Sequence, residues 1–483
     1  MITLTTKQVD RAAGALLASA AGDALGVPFE FASRQLVGEP EQLGGGLGGF
    51  APGEWSDDTA MACAIAQVAA TGTDLRTAAA LDAIADGFLR WSAAPPPDIG
   101  NQTRHVLVRA TPGPGSAARM TAIAQKLHDR TAHTAGNGSL MRTGPVALAH
   151  LGDSSAVVAA ARTISSLTHA DPTAGDACAL WCLAIDHAVR TGDLDIRIGI
   201  PYVDRDWTDL IEEAERGEPS SFPNNGWVVA ALQASWSALT STGSLRGALV
   251  AAVRAGNDTD TVAAITGALA GAYYGGSAVP FAWRRRLHGW PGLRGRDLIR
   301  LALLTARGGQ DDPQGWPSCE RLASYSGASA STVPHPDDQG VLLGAVGALH
   351  SGVADAVVSL CRLGSSQVPL AGVPPEDHTE AWIVDMENAN NDLPLAIRDA
   401  AEAVRQLRSE DKTVLLHCVH AETRTPVVAA AYGALTTGTS RRAALARVLN
   451  VLPSAHPRSS IVTALLTDGP AGRPISSQGR SPS

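Results

Sequence analysis

Two acidic clusters with adjacent hydroxyl side chains lie far apart in this chain. The first is Ser56-Asp57-Asp58-Thr59, and the second is Gly256-Asn257-Asp258-Thr259-Asp260-Thr261. Each opens a long segment of small, apolar residues with a helical pattern, although one Asp, Ser or Thr is enough to cap a helix. Four carboxylates repel one another if the fold brings them together, whereas a hard divalent cation prefers oxygen ligands. The clusters therefore predict a helical fold that joins them at a metal site holding two ions.

The composition is typical of a globular protein with a large core. A chain of 483 residues is long enough for two or three domains, at about 150 residues each. Hydrophobic residues make up 45% of the chain but aromatic residues only 4%, which favours closely packed helices with small side chains at their contacts. The net charge of -9 gives no electrostatic case for nucleic acid as a partner.

The six cysteines are scattered without the spacing of a metal site. Cys178 and Cys182 lie one helical turn apart, but no second pair matches them, so we expect small core residues there. So few cysteines in a long chain favour a reducing, cytoplasmic location. The sequence shows no signal peptide and no apolar stretch of membrane-spanning length that is free of charges and helix breakers, so we expect no membrane partner.

Helical patterns continue from about residue 7 to about residue 305, where strand signals are weak. They predict an all-α domain over residues 1–305, with helices that include 8–21, 59–70, 155–167, 176–190, 227–239 and 261–274. Gly267 and Gly271 lie one turn apart in the last of these helices, where each costs about 1 kcal/mol against alanine. We expect these two glycines to allow close approach of a second helix.

The pattern changes after residue 305. Residues 306–335 are rich in Gly, Pro, Asp and Ser, and they predict a linker. Apolar runs at 341–344, 356–360, 382–384 and 413–417 predict strands, and a helical stretch at 394–407 connects the last two. This alternation predicts an α/β domain over residues 336–467 with a parallel or mixed sheet. The polar residues 468–483 predict a disordered tail.

Four motifs in the predicted helical domain occur in one order along the chain. They are Gly22-Asp23-Ala24-Leu25-Gly26 with Phe29-Glu30, then Trp55-Ser56-Asp57-Asp58-Thr59, then Gly136-Asn137-Gly138-Ser139-Leu140-Met141-Arg142, and finally the second acidic cluster. In this order they resemble the ADP-ribosylglycohydrolase family of the dinitrogenase-reductase-activating type, over about the first 305 residues. The resemblance implies an all-helical fold with two Mg²⁺ or Mn²⁺ ions in a cleft. The implied metal ligands are Ser56, Asp57, Asp58, Asp258, Asp260 and Thr261.

The resemblance also implies roles for residues around the metals. Glu30 matches a mobile acidic residue of the family, and glycosidic cleavage through an oxocarbenium-like transition state benefits from an acid-base carboxylate. Asp57 and Glu30 are both candidates for that role, and the sequence does not choose between them. The alternative for each acidic cluster is simple helix capping, which the presence of both clusters with the glycine motifs disfavours.

Two further segments are candidates for substrate binding. Gly136-Asn137-Gly138-Ser139 fits a turn whose backbone N–H groups approach a phosphate, since glycine allows close approach and positive φ. Thr168-His169-Ala170-Asp171 resembles the segment of the family that faces the substrate. His169 is therefore a substrate-binding candidate, and a purely structural histidine is an equally supported reading.

A third constellation lies in the predicted α/β domain. Cys418 ends a predicted strand, Arg424 follows the cysteine by six positions, and a helix is predicted to begin near Thr425. This pattern resembles the loop of the dual-specificity phosphatases, which implies a thiolate nucleophile at Cys418 and a phosphate held by Arg424 and backbone amides. Asp385, 33 residues before the cysteine, matches the general acid of that family, with Asp392 as a weaker substitute.

Two residues of this loop depart from the phosphatase pattern. The family commonly has glycine at the position of Ala421, where the backbone favours a conformation that glycine tolerates best. Glu422 introduces a negative charge into a loop that has to hold a dianion. The loop therefore predicts either an active phosphatase or an inherited fold that only binds a phospho-ligand.

The leading hypothesis is a cytoplasmic hydrolase with two domains. The first domain would cleave the glycosidic bond of an ADP-ribosylated protein side chain, such as arginine, and the second would hydrolyse or bind a phosphorylated substrate. A second hypothesis is a non-enzymatic scaffold that binds ADP-ribose and carries a degenerate phosphatase module. A third is a metal-dependent hydrolase that acts on a small molecule with a nucleotide-linked ribose.

Overall fold

The computed structural model describes residues 3–131, 133–325, 327–352 and 354–467, and the predicted tail at 468–483 lies outside these residues. The helices are α1 (Thr6–Gly26), α2 (Asp57–Ala69), α3 (Ala78–Ala93), α4 (Asn101–Leu107), α5 (Ser116–Arg130), α6 (Gly144–Ala149), α7 (Ser154–Ser166), α8 (Pro172–Thr191), α9 (Thr208–Arg216), α10 (Val228–Thr240), α11 (Leu245–Arg254), α12 (Thr259–Tyr274), α13 (Phe281–Arg284), α14 (Gly295–Ala306), α15 (Leu393–Ser409), α16 (Arg424–Thr437), α17 (Arg441–Val451) and α18 (Ser459–Leu466). The strands are β1 (His288–Gly289), β2 (Leu293–Arg294), β3 (Thr332–His335), β4 (Asp338–Ala345), β5 (Ala356–Ser359), β6 (His378–Glu380) and β7 (Val414–Cys418). Helices α1–α14 form the first domain, and β3–β7 with α15–α18 form the second.

Helices α1 and α12 pack against each other along their whole length at the centre of the first domain. A Cβ atom on Gly267 would stand 2.2 Å from the carbonyl oxygen of Ala18, and one on Gly271 would stand 2.0 Å from that of Gly14. Only glycine fits at such backbone-to-backbone contacts, so the predicted role of Gly267 and Gly271 in close helix packing is confirmed. This contact sets the last turn of α1 beside the first turn of α12, which carries the second acidic cluster.

The central helix also explains an apolar segment near the N-terminus. Thr6–Ala32 is long and apolar enough to cross a membrane by length and composition, but its whole apolar window is buried inside the fold. Four charged residues of this segment, Asp10, Arg11, Asp23 and Glu30, are buried. Asp10 is satisfied by Ser277, whose hydroxyl donates to the carboxylate at 2.7 Å. The segment is the core helix of the first domain in this structure.

The segment predicted as a linker is packed, and part of it is a strand. Trp316 is 5% exposed and Leu322 is 2% exposed, and both belong to the core of the first domain. The sheet of the second domain begins at Thr332, inside the predicted linker, because Thr332–His335 forms an antiparallel ladder with β4. The high content of Gly, Pro and Ser concealed this strand, since turn-forming residues crowd both sides of it.

The second domain is a mixed five-stranded sheet in the order β3-β4-β7-β5-β6. Strand β3 is antiparallel to β4, and the remaining neighbours are parallel. Strand β7 lies at the centre and is buried at every position. The predicted strands at 341–344, 356–360 and 413–417 and the predicted helix at 394–407 are confirmed.

The strand predicted at 382–384 is wrong. Strand β6 is His378–Glu380 instead, and the N–H of Ala381 makes the last bond to β5, at 2.8 Å to Ser359. Beyond Ala381 the chain leaves the sheet, and the carbonyl of Ile383 accepts a hydrogen bond from Arg424 at 3.2 Å. The apolar run is therefore buried as an irregular segment against the Cys418 loop, and burial by itself does not distinguish such a segment from a strand.

The two domains are joined by a polar interface with few exposed charges. The guanidinium of Arg285 is buried and pairs with Asp377 at 2.8 Å and with Glu410 at 2.6 Å. Arg284 pairs with Asp399 at 2.6 Å. Because the loss of one partner of a buried ion pair is costly, these pairs favour one relative position of the domains.

Candidate active site

The packing of α1 on α12 brings three carboxylates from three helices to one point. One oxygen each from Asp23, Asp58 and Asp260 lies within 4.8 Å of the others, and all three residues are buried. Asp23 comes from the last turn of α1, Asp58 from the first turn of α2 and Asp260 from the first turn of α12. This group can hold a cation that needs oxygen ligands.

A second group of carboxylates adjoins the first. Oxygens of Glu30, Asp258 and Asp260 also lie within 4.8 Å of one another, so Asp260 belongs to both groups. Glu30 is held there by its neighbour, because the N–H of Phe31 donates to the carbonyl of Asn257 at 2.7 Å. The two predicted clusters are thus brought together, with Glu30 beside them.

The side-chain hydrogen bonds of the two acidic clusters differ from those of helix caps. Ser56 precedes α2, but its side chain donates to Asp58 at 2.8 Å and does not cap the helix. Asp258 precedes α12, and its side chain makes no capping bond. The second oxygen of Asp58 is buried without a hydrogen-bond partner in the described part of the chain. A buried carboxylate oxygen that receives no hydrogen bond is a suitable ligand for a cation. Helix capping therefore does not account for the clusters.

Burial and mutual repulsion make the ionised forms of these side chains costly. Burial, aided by nearby carboxylates, raises the pKa of Glu30 to about 8. Burial and then repulsion by Asp98 raise the pKa of Asp57 to about 7. Burial also raises the pKa values of Asp58 and Asp260 well above their usual range. A bound cation would reverse this cost, because it favours the charged carboxylates.

The predicted metal ligands do not all belong to the two carboxylate groups. Asp57 lies outside both groups, is half-buried, and accepts a long hydrogen bond from the N–H of Gly100 at 3.4 Å. Thr261 is buried, and its hydroxyl contacts the sulfur of Met141 at 3.9 Å. Asp23 is a member of the first group that sequence reasoning did not single out as a ligand. Its position between Gly22 and Gly26, which both contact the backbone of α12, is the signal that marks it.

Asp23 also fixes the start of α2. One of its oxygens accepts the N–H of Ser56 at 2.9 Å, and the other accepts the hydroxyl of Thr59 at 2.7 Å. The carboxylate therefore spans the first acidic cluster and sets the direction of Asp58. Asp23 thus has a positioning function even apart from any cation.

The glycines of the Gly136-Asn137-Gly138-Ser139 turn allow close packing against a histidine, and their predicted approach to a phosphate stays a prediction. Neither Gly136 nor Gly138 has a positive φ. A Cβ atom on Gly136 would stand 3.3 Å from the His169 ring, and one on Gly138 would stand 3.1 Å from it. The turn needs glycine because it lies flat against this histidine. Asn137 donates to Asp258 at 2.7 Å and thereby links the turn to the second carboxylate group.

His169 is buried in a hydrogen-bonded chain. Arg142 donates to the hydroxyl of Thr168 at 2.6 Å, and that hydroxyl lies 2.7 Å from Nδ1 of His169. In the tautomer of the neutral ring that is protonated on Nε2, Nδ1 accepts the proton of this hydroxyl, which in turn accepts from Arg142. Burial, with Arg142 nearby, lowers the pKa of His169 to about 3. Ser139 is fully buried, and its hydroxyl accepts from Ser165 at 2.9 Å.

A groove of about 510 Å³ opens beside the turn. Residues along it include Gln102, Gly136, Asp171, Asn224 and Trp227. Trp227 is 38% exposed, which is high for a tryptophan next to a buried acidic site. The groove has a volume suited to a nucleotide-sized ligand, since small-molecule sites span about 300–1,000 Å³.

The second domain carries a separate candidate site where β7 meets α16. Cys418 is the last residue of β7, and Arg424 is the first residue of α16. Burial opposes ionisation of Cys418, but Arg424 and the hydroxyl of Thr425 outweigh it and lower the pKa of the thiol below its ordinary value. The Nε atom of Arg424 is buried without a hydrogen-bond partner among the described residues. This loop can hold a tetrahedral oxyanion at the helix N-terminus.

Ala421 and Glu422, the two residues that depart from the phosphatase pattern, differ in their effect on the loop. Ala421 has φ +61°, the left-handed conformation for which the sequence predicts glycine. Glu422 points away from the loop, because its carboxylate lies 3.7 Å from His456, whose N–H also bonds the Glu422 carbonyl. The backbone of Ala421 is strained, whereas the charge of Glu422 does not enter the oxyanion site.

Asp385 lies beside the loop, and Asp392 does not. The carboxylate of Asp385 accepts the hydroxyl of Thr423 at 2.6 Å and pairs with Arg458 at 3.0 Å. Asp392 caps α15, since its side chain accepts the N–H of Leu395 at 2.9 Å. Of the two predicted acids, only Asp385 contacts the loop in the described structure.

Comparison with known proteins agrees with the geometry of the first domain. The family model for ADP-ribosylglycohydrolase matches residues 4–314. ADP-ribosylarginine hydrolase Tri1 of Pseudomonas putida (strain GB-1) is 33% identical over 293 residues, which span 58% of this chain and 75% of that protein. ADP-ribosyl-[dinitrogen reductase] glycohydrolase of Rhodospirillum rubrum is 29% identical and is covered over 90% of its length.

A solved structure leads to the same family. A chain described as an ADP-ribosylglycohydrolase-related protein complex aligns over 63% of this chain and 99% of its own length, with 28% identity and a TM-score of 0.50. The matched region contains both carboxylate groups and the glycine turn. The chain therefore belongs to the ADP-ribosylglycohydrolase family and is a glycohydrolase.

Proposed function

We propose that the first domain is a metal-dependent hydrolase that releases ADP-ribose from modified arginine side chains of proteins. The observation that carries this proposal is the pair of carboxylate groups that share Asp260 and leave one buried oxygen of Asp58 without a partner. The names of two relatives, an ADP-ribosylarginine hydrolase and an ADP-ribosyl-[dinitrogen reductase] glycohydrolase, support arginine as the acceptor and protein as the substrate.

The donor set fits two hard cations, Mg²⁺ or Mn²⁺. Every donor is a carboxylate or hydroxyl oxygen, and cysteine and histidine are absent from both groups. Asp23, Asp58 and Asp260 would hold one ion, and Glu30, Asp258 and Asp260 the other. When bound, the ions would orient the ribose hydroxyls and stabilise developing charge.

The protein itself supplies the proton transfer and the positioning. Asp57 fits the acid-base role better than Glu30, because it lies outside both cation groups and is partly exposed. The backbone of the glycine turn fits the phosphates of the ADP moiety, with the neutral ring of His169 packed behind it. Trp227 fits one wall of the nucleotide groove.

Release of ADP-ribose from an ADP-ribosyl-arginine peptide tests this proposal. We expect release by the wild type with Mg²⁺ or Mn²⁺, none after chelation, and losses of about 100-fold or more for Asp58→Asn and Asp260→Asn. Asp209→Asn, at an exposed position in α9, is the matched control and should keep full activity. Equal release with and without metal would refute metal dependence, and no release at all would favour a binding scaffold.

A second function is supported by the Cys418 loop, and we infer that the second domain is a phosphomonoesterase. The lowered pKa of the thiol, the buried Nε of Arg424 and the N-terminus of α16 all favour phosphate bound against a thiolate. The thiolate would attack phosphorus as the P–O bond to the leaving group breaks, with Asp385 supplying the proton to that oxygen. Water would then cleave the cysteinyl phosphate, release phosphate and return a proton to Asp385.

Hydrolysis of p-nitrophenyl phosphate tests this second function. We expect turnover by the wild type and loss of it in Cys418→Ser. Cys182→Ser is the control, because Cys182 is a buried thiol of the first domain whose pKa is raised well above its ordinary value by burial. Equal rates for the wild type and Cys418→Ser would assign the turnover elsewhere.

The thiol chemistry requires a reducing environment, and we propose a cytoplasmic location for this reason. All six cysteines are free, and five of them are buried. A reactive thiolate at Cys418 would be oxidised in an oxidising compartment. Fractionation of cells expressing the protein, with an antibody against the chain, would test this.

A further inference from the structure

A cavity of about 380 Å³ lies between the two domains, next to the Cys418 loop. Arg424 and Asp385 line it from the second domain. Leu4 and Val9, at the start of α1, and Arg300 of α14 line it from the first domain. The approach to the phosphate loop is therefore bounded by both domains.

The cavity carries an excess of positive charge. Arg296 is neutralised by Glu380 at 2.9 Å, and Arg362 by Asp312 at 2.7 Å. Two further arginines, Arg300 and Arg307, have no carboxylate within ion-pair distance among the described residues. These two belong to the first domain or the segment directly after it, opposite the loop. Arg307 donates one long hydrogen bond to the carbonyl of Trp316 at 3.5 Å, and its remaining N–H groups, with those of Arg300, can bind an anionic group of a ligand.

Three aromatic side chains also line the cavity. The rings of Trp316 and Trp382 meet edge to face at 5.7 Å, and Tyr325 lies beside them in the lining. The indole Nε1 of Trp316 is buried without a hydrogen-bond partner in the described residues. A buried donor of this kind is costly unless a ligand or water accepts its hydrogen bond. The cavity thus offers flat apolar surfaces together with cations.

We propose that this cavity is the substrate pocket of the second domain and takes a small phosphomonoester with a planar ring and a second anionic group. The inference rests on the proposed phosphomonoesterase function. The phosphate would bind the Cys418 loop, the ring would pack among Trp316, Trp382 and Tyr325, and Arg300 with Arg307 would bind the second anion. A cavity of this volume with walls from both domains favours a small molecule over a phosphorylated segment of a folded protein, since small-molecule sites begin near about 300 Å³.

The pocket is remote from the acidic cluster of the first domain. The start of α1 lines the cavity, whereas Asp23 near its end belongs to the carboxylate groups. Asp23 follows Val9 by 14 residues in α1, which corresponds to about 21 Å at about 1.5 Å per residue. Each site therefore binds its own substrate, and changes at Arg300 or Arg307 should leave release of ADP-ribose unaffected.

Three substrates separate this pocket from an ordinary protein phosphatase site. Adenosine 3′,5′-bisphosphate has a ring and two anionic groups, p-nitrophenyl phosphate has no second anion, and a phosphotyrosine peptide is too large for the cavity. We expect kcat/KM for the bisphosphate to exceed that for the peptide by at least about tenfold. The double variant Arg300→Ala/Arg307→Ala should lose about tenfold or more on the bisphosphate and no more than about twofold on p-nitrophenyl phosphate, because charged hydrogen bonds to the second anion are removed.

The control is Arg405→Ala, an exposed arginine that pairs with Glu402 on the far side of α15, and it should change neither rate. Equal use of peptide and bisphosphate, or equal losses on both small substrates, would overturn the pocket while leaving the phosphomonoesterase function intact. If the wild type hydrolyses none of the three, that function fails. Calorimetry then measures binding of the bisphosphate to Cys418→Ser. Binding that depends on Arg300 and Arg307 would support the proposed pocket, and absence of binding would refute it.

Discussion

Gly26 of α1 and Asp260 of α12 touch backbone to backbone. A Cβ atom on Gly26 would stand 2.4 Å from the Cα of Asp260, inside the closest distance that real side chains reach. A Cβ atom on Gly22, one turn earlier, would stand 2.2 Å from the carbonyl oxygen of Ala263. The carboxylate that the two carboxylate groups share is therefore set in place by the absence of a side chain on the neighbouring helix.

The first prediction concerns this contact. Gly26→Ala should lower the free energy of unfolding by about 1–3 kcal/mol, because a backbone atom cannot move aside for the new methyl group. The same change should also lower glycohydrolase activity, since Asp260 must shift. Gly144→Ala is the control, because the nearest atom to its Cβ is 3.5 Å away in ordinary contact. Urea unfolding of both variants measures the difference, and equal stability would contradict the packing argument.

The second prediction concerns the cation groups. Burial raises the pKa of Asp260 well above its usual range, so the ionised side chain is costly without metal. Asp260→Asn should therefore stabilise the metal-free protein, while the wild type should gain about 2.7 kcal/mol at a metal concentration of 100 Kd. The variant should lose most of that gain. Thermal unfolding with and without Mg²⁺ or Mn²⁺ measures this, and an equal response in both proteins would contradict the assignment.

The third prediction concerns the pH dependence of Cys418. Arg424 and Thr425 lower the pKa of the thiol, so the thiolate should persist below the pH at which an ordinary thiol is protonated and decline only as the pH falls through the lowered pKa. Iodoacetamide should alkylate Cys418 at neutral pH, and Arg424→Ala should move the alkylation profile to higher pH. Cys361 is the internal control and should stay unmodified at neutral pH. Mass spectrometry of the alkylated sites decides, and a profile that Arg424→Ala leaves unchanged would contradict the mechanism.

The fourth prediction concerns backbone strain in the loop. Ala421 has φ +61°, which costs an L-residue about 1–2 kcal/mol, and glycine removes most of this cost while adding some entropy to the unfolded chain. Ala421→Gly should therefore raise the free energy of unfolding by about 0.5–1 kcal/mol and should not lower phosphatase activity. Ala431→Gly in the middle of α16 should instead lower stability by about 1 kcal/mol. A destabilising Ala421→Gly would mean that the strain is absent.

Much of this fold could be predicted from local pattern. The periodicity of small apolar residues located α1, α2, α7, α8, α10 and α12, and the alternation after residue 335 located three strands and α15. The run at 382–384 and the strand at 332–335 could not be assigned, because short apolar segments and turn-rich strands lack a distinctive period. Which buried segment pairs with a neighbour depends on contacts distant in sequence.

The candidate sites show the same division. The two acidic clusters, Glu30, the glycine turn and the Cys418 loop could be found from local sequence, because the chemistry of each depends on neighbours in the chain. Three relationships became visible in the folded chain alone. Asp23 joins Asp58 and Asp260, the glycines of the turn pack against His169, and Arg300 and Arg307 line one cavity with Arg424. These relationships arise from packing between elements far apart in the chain. The absence of a single Cβ atom, or the position of one domain against the other, sets the distance between functional groups there.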